Sequence, residues 1–353
     1  MRGASRPRVT TRRRLVLVAI AVGLLMSGSL AACSQTSGLR VGLAFAVGGP
    51  GDHGFNDAAL AGLNRAERDL HSVIAVRALS ARNNETEDDQ YERLALLCTA
   101  GFNPVIAVGF TYAGVDPANG PLARASRTCP TTRFAIVDSG QVLEPNVANL
   151  VFADEQGAYL MGVAAAAKTR TGTVGIVGAC PNAVIERFRA GYLSGAEAQR
   201  PSINVDTEYL STDPNRCDFT NTDAARSAAG SLYNAGADVI FQVAGGAGIG
   251  VFQAASAHRT MAIGVDSDQY VTVGRPLNRV IITSEVKHVD LAVVDFIESV
   301  AHGSFRSGVH RYDLADDGIT FATSGGQIDD IETTLQKDRN AIIAGHIIVP
   351  TAR

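Results

Sequence analysis

The chain has 353 residues, of which 46% are hydrophobic and 19% are charged, a composition typical of a globular protein. The length is enough for two domains of ordinary size. The 31 basic and 35 acidic residues give a formal net charge of −4, and this acidic excess argues against a nucleic-acid partner.

The first 33 residues have the pattern of an export signal. Six arginines and no acidic residue precede an apolar stretch at 15–26, and small residues then lead to Cys33. The apolar stretch is too short for a convincing membrane span. Removal of residues 1–32 would leave 25 basic and 35 acidic residues, a net charge of about −10.

The end of this signal, Leu30-Ala-Ala-Cys33, resembles the lipobox of bacterial lipoproteins. The resemblance implies a signal peptide at 1–32, cleavage before Cys33, acylation of the Cys33 thiol by a fatty acid such as palmitate, and a tether at 33–38. The alternative is an ordinary signal peptide with a chance cysteine. The arginine cluster at 12–14 also fits twin-arginine export.

After residue 38, short continuous apolar runs alternate with helical patterns. This alternation predicts an α/β fold in which the strands are parallel and buried. The predicted strands are 40–47, 73–78, 104–108, 134–137, 149–152, 173–177, 204–209, 239–243, 261–265 and 280–284. The predicted helices are 56–70, 88–99, 156–169, 185–199, 223–235, 248–258 and 289–302.

Ten strands are many for one sheet, so the sequence predicts two lobes. We expect the first lobe at 39–152 with about 285–305, and the second at 154–283 with about 306–353. No segment rich in Pro and Gly separates them, which favours lobes joined by crossing strands. We expect the hinges near 152–153 and 283–284.

Four cysteines follow Cys33, and an even number outside the cytosol predicts two disulfides. Three pairings are possible, and proximity in sequence favours Cys98–Cys129 and Cys180–Cys217. Four buried free thiols are the alternative. Since no two cysteines are spaced as C-x-x-C, no zinc site is predicted.

Residues Gly49–Gly54 read as G-x-G-x-x-G after an apolar run, which raises the possibility of a dinucleotide-binding turn. Such a turn needs an acidic residue at the end of the second strand and a third glycine inside the helix. The second strand ends without an acid, and Gly54 precedes the expected helix start, where Asn56 or Asp57 is a suitable N-cap. The pattern therefore argues against a nicotinamide enzyme.

No other catalytic motif assembles in the sequence. It contains no H-E-x-x-H, no G-x-S-x-G and no P-loop. The seven histidines are scattered; His53 lies in the glycine-rich turn, where it could touch a ligand or remain solvated. We therefore predict a protein that is not an enzyme and has no metal or cofactor.

The glycine run and the residues after it, 48–62, resemble the first ligand loop of the basic membrane protein family. Other segments that are similar to this family follow in the same order and cover essentially all of 40–350. They are 108–110, 134–139, 152–165, 172–178, 188–196, 236–241, 245–251, 263–269, 283–287 and 342–350.

The resemblance implies a substrate-binding lipoprotein of a nucleoside ABC importer with a type I periplasmic-binding fold. In that fold each lobe is a mainly parallel sheet flanked by helices, and the ligand cleft lies between the lobes. The implied partners are a small nucleoside-like solute, a membrane permease, an ATPase and the membrane itself, reached through Cys33. The implied location is the extracytoplasmic face of the cell membrane.

The resemblance also assigns ligand-binding roles to individual residues. Phe55 and Phe219 match the two rings that sandwich a purine base, one from each lobe. Polar contacts to the ligand are implied for Asp52, Asn56, Asp138, Asp266 and Lys287, and close backbone approach for Gly245 and Gly246. Core packing for the rings, helix capping for Asn56 and a simple ion pair for Lys287 are the alternatives.

The chain departs from the family pattern at two positions in the first loop. Ala46 and Gly51 stand where relatives have acidic residues, and the acid at the first position helps to hold the base. A modified nucleoside or another ring-bearing polar solute is therefore an alternative ligand. The alternative functions are a sensory or adhesive surface lipoprotein of the same fold, and an exported enzyme acting on nucleosides or glycosides.

Overall fold

The computed structural model describes residues 1, 3, 38–82 and 85–353. Cys33 and, apart from residues 1, 3 and 38, the predicted signal peptide and tether lie outside the described residues. Within the described part of the chain, no helix is both long and apolar enough to cross a membrane.

Strands and helices alternate along residues 39–152, as buried parallel strands require. This half contains β1 (Leu39–Ala44), α1 (Phe55–Asp69), β2 (Val73–Leu79), α2 (Glu87–Thr99), β3 (Val105–Ala107), α3 (Pro121–Thr128), β4 (Phe134–Val137) and β5 (Val147–Phe152). All residues of β3 and β4 are buried, which accounts for their uninterrupted apolar sequence.

The second half repeats the alternation. It contains α4 (Asp154–Lys168), β6 (Thr173–Gly178), α5 (Ala183–Gln199), β7 (Asn204–Tyr209), α6 (Thr222–Asn234), β8 (Val239–Val243), α7 (Ile249–His258), β9 (Met261–Gly264), α8 (Gln269–Thr272), β10 (Ile281–Lys287), α9 (Val289–Ala301), β11 (Gly308–Tyr312), β12 (Ile319–Phe321) and α10 (Glu332–Ile343).

The strands form two six-stranded sheets with the same strand order. The first has the order β11-β5-β4-β3-β1-β2 and the second the order β12-β10-β9-β8-β6-β7. The named strands pair in parallel, except that β12 runs antiparallel to β10. Loops at the carboxyl ends of parallel strands are where such sheets bind ligands.

Each predicted strand and helix corresponds to an element of the structure. The sequence patterns missed five elements: α3, α8, β11, β12 and α10. The strand β11 alternates between half-buried and exposed residues because it lies at a sheet edge, so it lacks the continuous apolar run by which the inner strands were recognised.

The predicted lobe boundaries are wrong in the last third of the chain. The strand β10 continues to Lys287 within the second sheet, beyond the expected crossing near 285. The strand β11 pairs with β5 of the first sheet, so the chain returns to the second lobe after Tyr312 and not at 306. The chain thus crosses between the sheets three times, at 152–154, 287–289 and 312–319.

Small residues let the two helices that follow the first crossing pack in very close contact. A Cβ atom at Gly195 of α5 would lie 1.9 Å from the carbonyl oxygen of Tyr159 in α4, and one at Gly191 would lie 2.1 Å from that of Glu155. Only glycine permits this approach. The contact fixes the middle of α5 beside the start of α4.

Both predicted disulfides are present, which confirms the pairing favoured by sequence proximity. Cys98–Cys129 joins the end of α2 to the residue after α3 in the first lobe. Cys180–Cys217 joins the residues after β6 to the loop before α6 in the second lobe. The second disulfide lies two residues from Phe219.

Candidate functional site

A cavity of about 1330 Å³ lies between the carboxyl ends of the two sheets. It exceeds the range of roughly 300–1,000 Å³ that is usual for small-molecule sites. Segments after β1, β2, β3 and β4 form one wall, and loops after β6, β7, β8 and β9 form the other. All nine residues to which the sequence gave ligand roles line it: Asp52, Phe55, Asn56, Asp138, Phe219, Gly245, Gly246, Asp266 and Lys287.

The backbone amides of the glycine-rich turn are occupied by carboxylates of the chain itself. Asp52 accepts hydrogen bonds from the N–H groups of Gly54, Asn56 and Asp57 at 3.0, 2.8 and 3.2 Å. Asp57 accepts from those of Gly51 and His53 at 2.7 and 3.0 Å. The N–H groups of Gly54, Asn56 and Asp57 at the N-terminus of α1 are therefore not available to a phosphate, which agrees with the rejection of a dinucleotide-binding turn.

Asn56 is the second residue of α1 and does not cap it; the side chain of Asp52 does. The Asn56 side chain joins the turn to the end of β1. Its Oδ1 accepts from the N–H of Ala46 at 3.1 Å, and its Nδ2 donates to Asp52 at 2.9 Å. Asn56 thus fixes the position of Asp52 at the cavity wall.

Lys287 forms the centre of a buried charge cluster that joins the two lobes. Its ammonium lies 3.0 Å from Oδ2 of Asp138 and 2.9 Å from Oδ1 of Asp154. Oδ1 of Asp266 is 4.0 Å away. Since the Lys287 side chain is only 2% exposed, its charge needs these acids for compensation.

Two arginines complete the charges around the first crossing. The guanidinium of Arg187 in α5 donates two hydrogen bonds to Oδ2 of Asp154, at 3.2 and 2.8 Å. Arg311 of β11 donates to Glu155 of α4 at 3.0 Å, across the lobes. Arg187 and Lys287 thus leave each carboxylate oxygen of Asp154 beside a cation.

A short motif, Val-Asp-Ser-x-Gln, occurs once in each lobe at equivalent positions. It spans 137–141, beginning with the last residue of β4, and 265–269, directly after β9; each of these strands is the fourth of its lobe in chain order. In both copies the Asp backbone is left-handed, with φ of 67° at Asp138 and 65° at Asp266. This conformation is uncommon for residues other than glycine, and such residues cluster at ligand sites.

Burial controls the protonation of the acids at the centre of the cavity. It raises the pKa of Asp266 to about 7, against the lowering effect of Lys287. The pKa values of Asp138 and Asp52 are also raised, chiefly by burial. Burial lowers the pKa of Lys287, but proximity to three acids outweighs this effect and raises the pKa, so Lys287 remains an ammonium. Oδ1 of Asp138 has no hydrogen-bond partner among the described residues and remains free to accept from a ligand.

Four phenylalanines give the cavity its flat apolar surfaces: Phe55, Phe110, Phe188 and Phe219. The ammonium of Lys287 lies 5.6 Å from the ring centre of Phe55 and 4.9 Å from that of Phe188. Phe110 and Phe219 come from opposite lobes and meet edge to face, with ring centres 6.2 Å apart.

The two glycines after β8 leave room for neighbouring side chains. A Cβ at Gly245, where φ is 53°, would lie 3.3 Å from the ring of Phe219, and one at Gly246 would lie 3.5 Å from Cβ of Asp52. These glycines therefore serve the placement of Phe219 and Asp52, in addition to lining the cavity.

Sequence reasoning missed Asp154, Arg187, Phe110 and Phe188. Asp154 lies within the family-like segment at 152–165, and Phe188 begins the family-like segment at 188–196, directly after Arg187. The repeated Val-Asp-Ser-x-Gln motif was the signal that could have paired Asp138 with Asp266 without any structure. Within the described residues, no group of three or more His, Cys, Asp or Glu side chains is arranged to hold a metal ion.

Comparison with known proteins decides the family. Residues 40–353 match the family model for PnrA-like ABC transporter substrate-binding proteins, the Bmp family. The chain belongs to the Bmp family. It is a solute-binding component of ABC import and not an enzyme, as its sequence predicts. Substrate-binding proteins of the Bmp family act outside the cytoplasm.

Curated Bmp relatives are similar over nearly their whole length. The CD4+ T-cell-stimulating antigen of Listeria innocua is 31% identical over 86% of each chain. The ABC transporter nucleoside-binding protein BmpA of Lactococcus lactis is 28% identical, over 96% of this chain and 99% of its own.

Solved structures confirm the two-lobed fold of this Bmp chain. A solute-binding protein of an ABC transporter from Aeropyrum pernix superposes with a TM-score of 0.73, at 24% identity, over 88% of this chain and 94% of its own. One from Conexibacter woesei gives 0.69 at 20% identity, over 89% and 99%.

Proposed function

We propose that the cleft binds a purine nucleoside, or a similar solute with a flat ring and polar hydroxyl groups, and delivers it to a membrane permease and ATPase. The observation that carries this proposal is the combination of aromatic rings with a buried Asp138–Lys287–Asp266 group in one cavity. The relative from Lactococcus lactis, whose name describes a nucleoside-binding protein, supports the same ligand class.

The base would lie between Phe55 and Phe219. Both rings line the cavity from opposite lobes, and both are only partly buried by the chain itself. A flat apolar face on each side suits a flat base, and aromatic pairs of this kind contribute about 0.5–1.5 kcal/mol beyond the area they bury. Stacking also tolerates different bases, because every base has such a face.

The sugar hydroxyls would lie against Asp138 and Asp266. Oδ1 of Asp138 is a buried acceptor without a partner among the described residues, and such burial costs free energy. A ligand hydroxyl that donates to this oxygen would remove that cost. Asp266 provides a second acceptor on the opposite lobe, and Lys287 provides a donor between them. A ligand with two or more hydroxyls therefore fits better than a bare base.

The absence of an acid at position 46 bears on the choice of base. The side chain of Ala46 is a methyl group, so no carboxylate faces the base from this position. The N–H of Ala46 donates to Asn56, and its methyl carbon would lie 3.1 Å from a Cβ at Gly109. We therefore expect weaker discrimination among purine bases than a carboxylate would give.

We also propose that the chain is a lipoprotein anchored by acylation at Cys33 after removal of residues 1–32. The basic head, short apolar run and Leu-Ala-Ala-Cys ending support this proposal. A membrane fraction that releases the protein only with detergent, and a Cys33→Ala variant that is released without it, would support the anchor. Equal extraction of both proteins would contradict it.

A thermal-shift screen of the full-length chain tests the ligand. Inosine, guanosine and adenosine are compared with ribose, glucose and free adenine. Binding at a 100-fold excess over Kd should stabilise the chain by about 2.7 kcal/mol. Phe55→Ala should abolish the shift, whereas Phe305→Ala, a partly buried first-lobe ring outside the cavity, should not. Equal shifts in both variants would remove Phe55 from the ligand site.

A further inference from the structure

The tip of the glycine-rich turn makes a contact between the lobes that solute binding alone does not explain. The backbone carbonyl of His53, in the first lobe, accepts three hydrogen bonds from second-lobe side chains. Ser267 Oγ donates at 2.6 Å, Thr272 Oγ1 at 3.1 Å and Gln269 Nε2 at 3.3 Å. His53 is not among the residues that line the cavity.

Both sides of this contact are held rigidly. On the first-lobe side, His53 adopts a left-handed backbone with φ of 56°, and its N–H donates to Asp57. Asp57 also accepts from Gly51, and Asp52 accepts from Gly54, so carboxylates hold the turn on either side of the carbonyl. The His53 carbonyl is therefore already held in place, so its contact with the second lobe costs little further conformational entropy.

On the second-lobe side, a buried amide network fixes Gln269. Its Oε1 accepts from Gln242 Nε2 at 2.7 Å and from the N–H of Val265 at 3.0 Å. Its own N–H donates to Ser284 Oγ at 3.1 Å. Gln242 in turn accepts from the N–H of Ala244, which directly precedes Gly245 at the cavity wall. The donors are thus joined to the site by hydrogen bonds.

The contact uses only one of the two Val-Asp-Ser-x-Gln motifs. In the second lobe, Ser267 and Gln269 reach across to His53. In the first lobe, Ser139 Oγ accepts from the N–H of Gln141 within its own turn, at 3.3 Å, and Gln141 is exposed. Turn geometry common to both copies therefore does not account for the interlobe bonds.

We propose that Ser267, Gln269 and Thr272 form a latch on the His53 carbonyl that holds the lobes closed and sets the lifetime of the bound solute. The inference rests on the proposed binding of a solute in the cleft. The latch lies beside Asp52 and Asp266, since a Cβ at Gly54 would lie 3.2 Å from Cβ of Asp266. Closure of the latch thus brings two cavity acids from opposite lobes together.

The test is the Ser267→Ala/Thr272→Val variant of the full-length chain, because these hydroxyls donate to the latch and lie outside the cavity. Loss of two hydrogen bonds should speed guanosine dissociation about tenfold and leave association nearly unchanged. The matched control is Ser227→Ala/Thr99→Val, whose hydroxyls bond only to their own helices. Equal dissociation rates in the latch and control variants would overturn the proposal.

A second measurement without ligand separates the latch from the identity of the solute. Spin labels on genetically encoded amino acids at the exposed positions Glu92 and Ser256 report the distance between the lobes. The latch variant should show a larger population of long distances than the wild type and the control. An unchanged distribution would contradict the latch even if guanosine binds. If guanosine does not bind the wild type, the ligand proposal fails, whereas the distance measurement still tests whether the latch holds the lobes closed. If the double variant does not fold, the same measurements are made on Ser267→Ala alone.

Discussion

The ammonium of Lys287 lies 3.0 Å from Oδ2 of Asp138, although Lys287 ends a strand of the second sheet and Asp138 follows a strand of the first. This ion pair crosses the cleft at its floor, next to the crossing at 287–289. We therefore expect ligand recognition, lobe closure and stability to depend on the same buried charges.

Lys287→Met should destabilise the chain strongly. It would leave Asp138 and Asp154 buried without their shared cation, and breaking a buried pair on one side typically costs about 3–5 kcal/mol. Urea denaturation measures the loss. The control is Lys168→Met, because the partner of Lys168 is the exposed Asp330, and such pairs contribute about 1 kcal/mol or less. Equal losses in the two variants would contradict the central role of Lys287.

Solute affinity should rise with pH through about 7, the value to which burial raises the pKa of Asp266. The carboxylate accepts hydroxyl hydrogen bonds at both oxygens, whereas the protonated acid has lost part of that capacity. Calorimetric titrations of guanosine between pH 5.5 and 8.5 would reveal the step. Asp266→Asn should weaken binding and remove the step, and a step that persists in this variant would assign the titration to another group.

The same raised pKa has the opposite effect on stability. The folded chain holds the Asp266 proton more tightly than the unfolded chain, whose aspartates titrate near 3.8. The stabilisation is therefore complete below about pH 4 and is lost as pH rises through about 7. Without ligand, the difference in unfolding free energy between Asp266→Asn and wild type should grow in favour of the variant over this range. A constant difference would contradict the shift.

The Cys180–Cys217 disulfide should matter more for binding than Cys98–Cys129. Cys217 lies two residues before Phe219 and lines the cavity, whereas Cys98 and Cys129 do not. Replacing either pair with serines should cost about 2–4 kcal/mol of stability. Only Cys180→Ser/Cys217→Ser should also weaken guanosine binding, as measured by calorimetry. Equal affinity in the two variants would show that Phe219 is placed without the disulfide.

Two helical glycines should respond to alanine in opposite directions. Gly195→Ala would place Cβ 1.9 Å from the carbonyl oxygen of Tyr159, and this backbone cannot move without separating α4 from α5. We expect a loss of at least about 1–3 kcal/mol. At Gly230 of α6, the nearest atom to a Cβ is 4.0 Å away, so Gly230→Ala should stabilise by up to about 1 kcal/mol. Thermal denaturation of both variants tests this contrast.

The sequence predicted the inner strands because burial on both faces leaves a continuous apolar run. The resemblance to the family predicted the cavity residues, and these residues meet because the carboxyl ends of parallel strands lie at one edge of a sheet. The sequence placed β11 in the wrong lobe, because an exposed edge strand has no apolar run and its partner is set by the path of the chain. The roles of Asp154 and Arg187 depend on the close helix contact at Gly191 and Gly195, which spacing alone does not reveal.

The most direct test of the nucleoside proposal is calorimetric titration of the full-length chain with inosine, guanosine and adenosine, and separately with ribose and the free bases. We expect saturable binding of at least one purine nucleoside, tighter than that of its base or of ribose, because the rings and the Asp138–Lys287–Asp266 group act on different parts of one ligand. Saturable binding of ribose, with no heat from any nucleoside, would contradict the proposal.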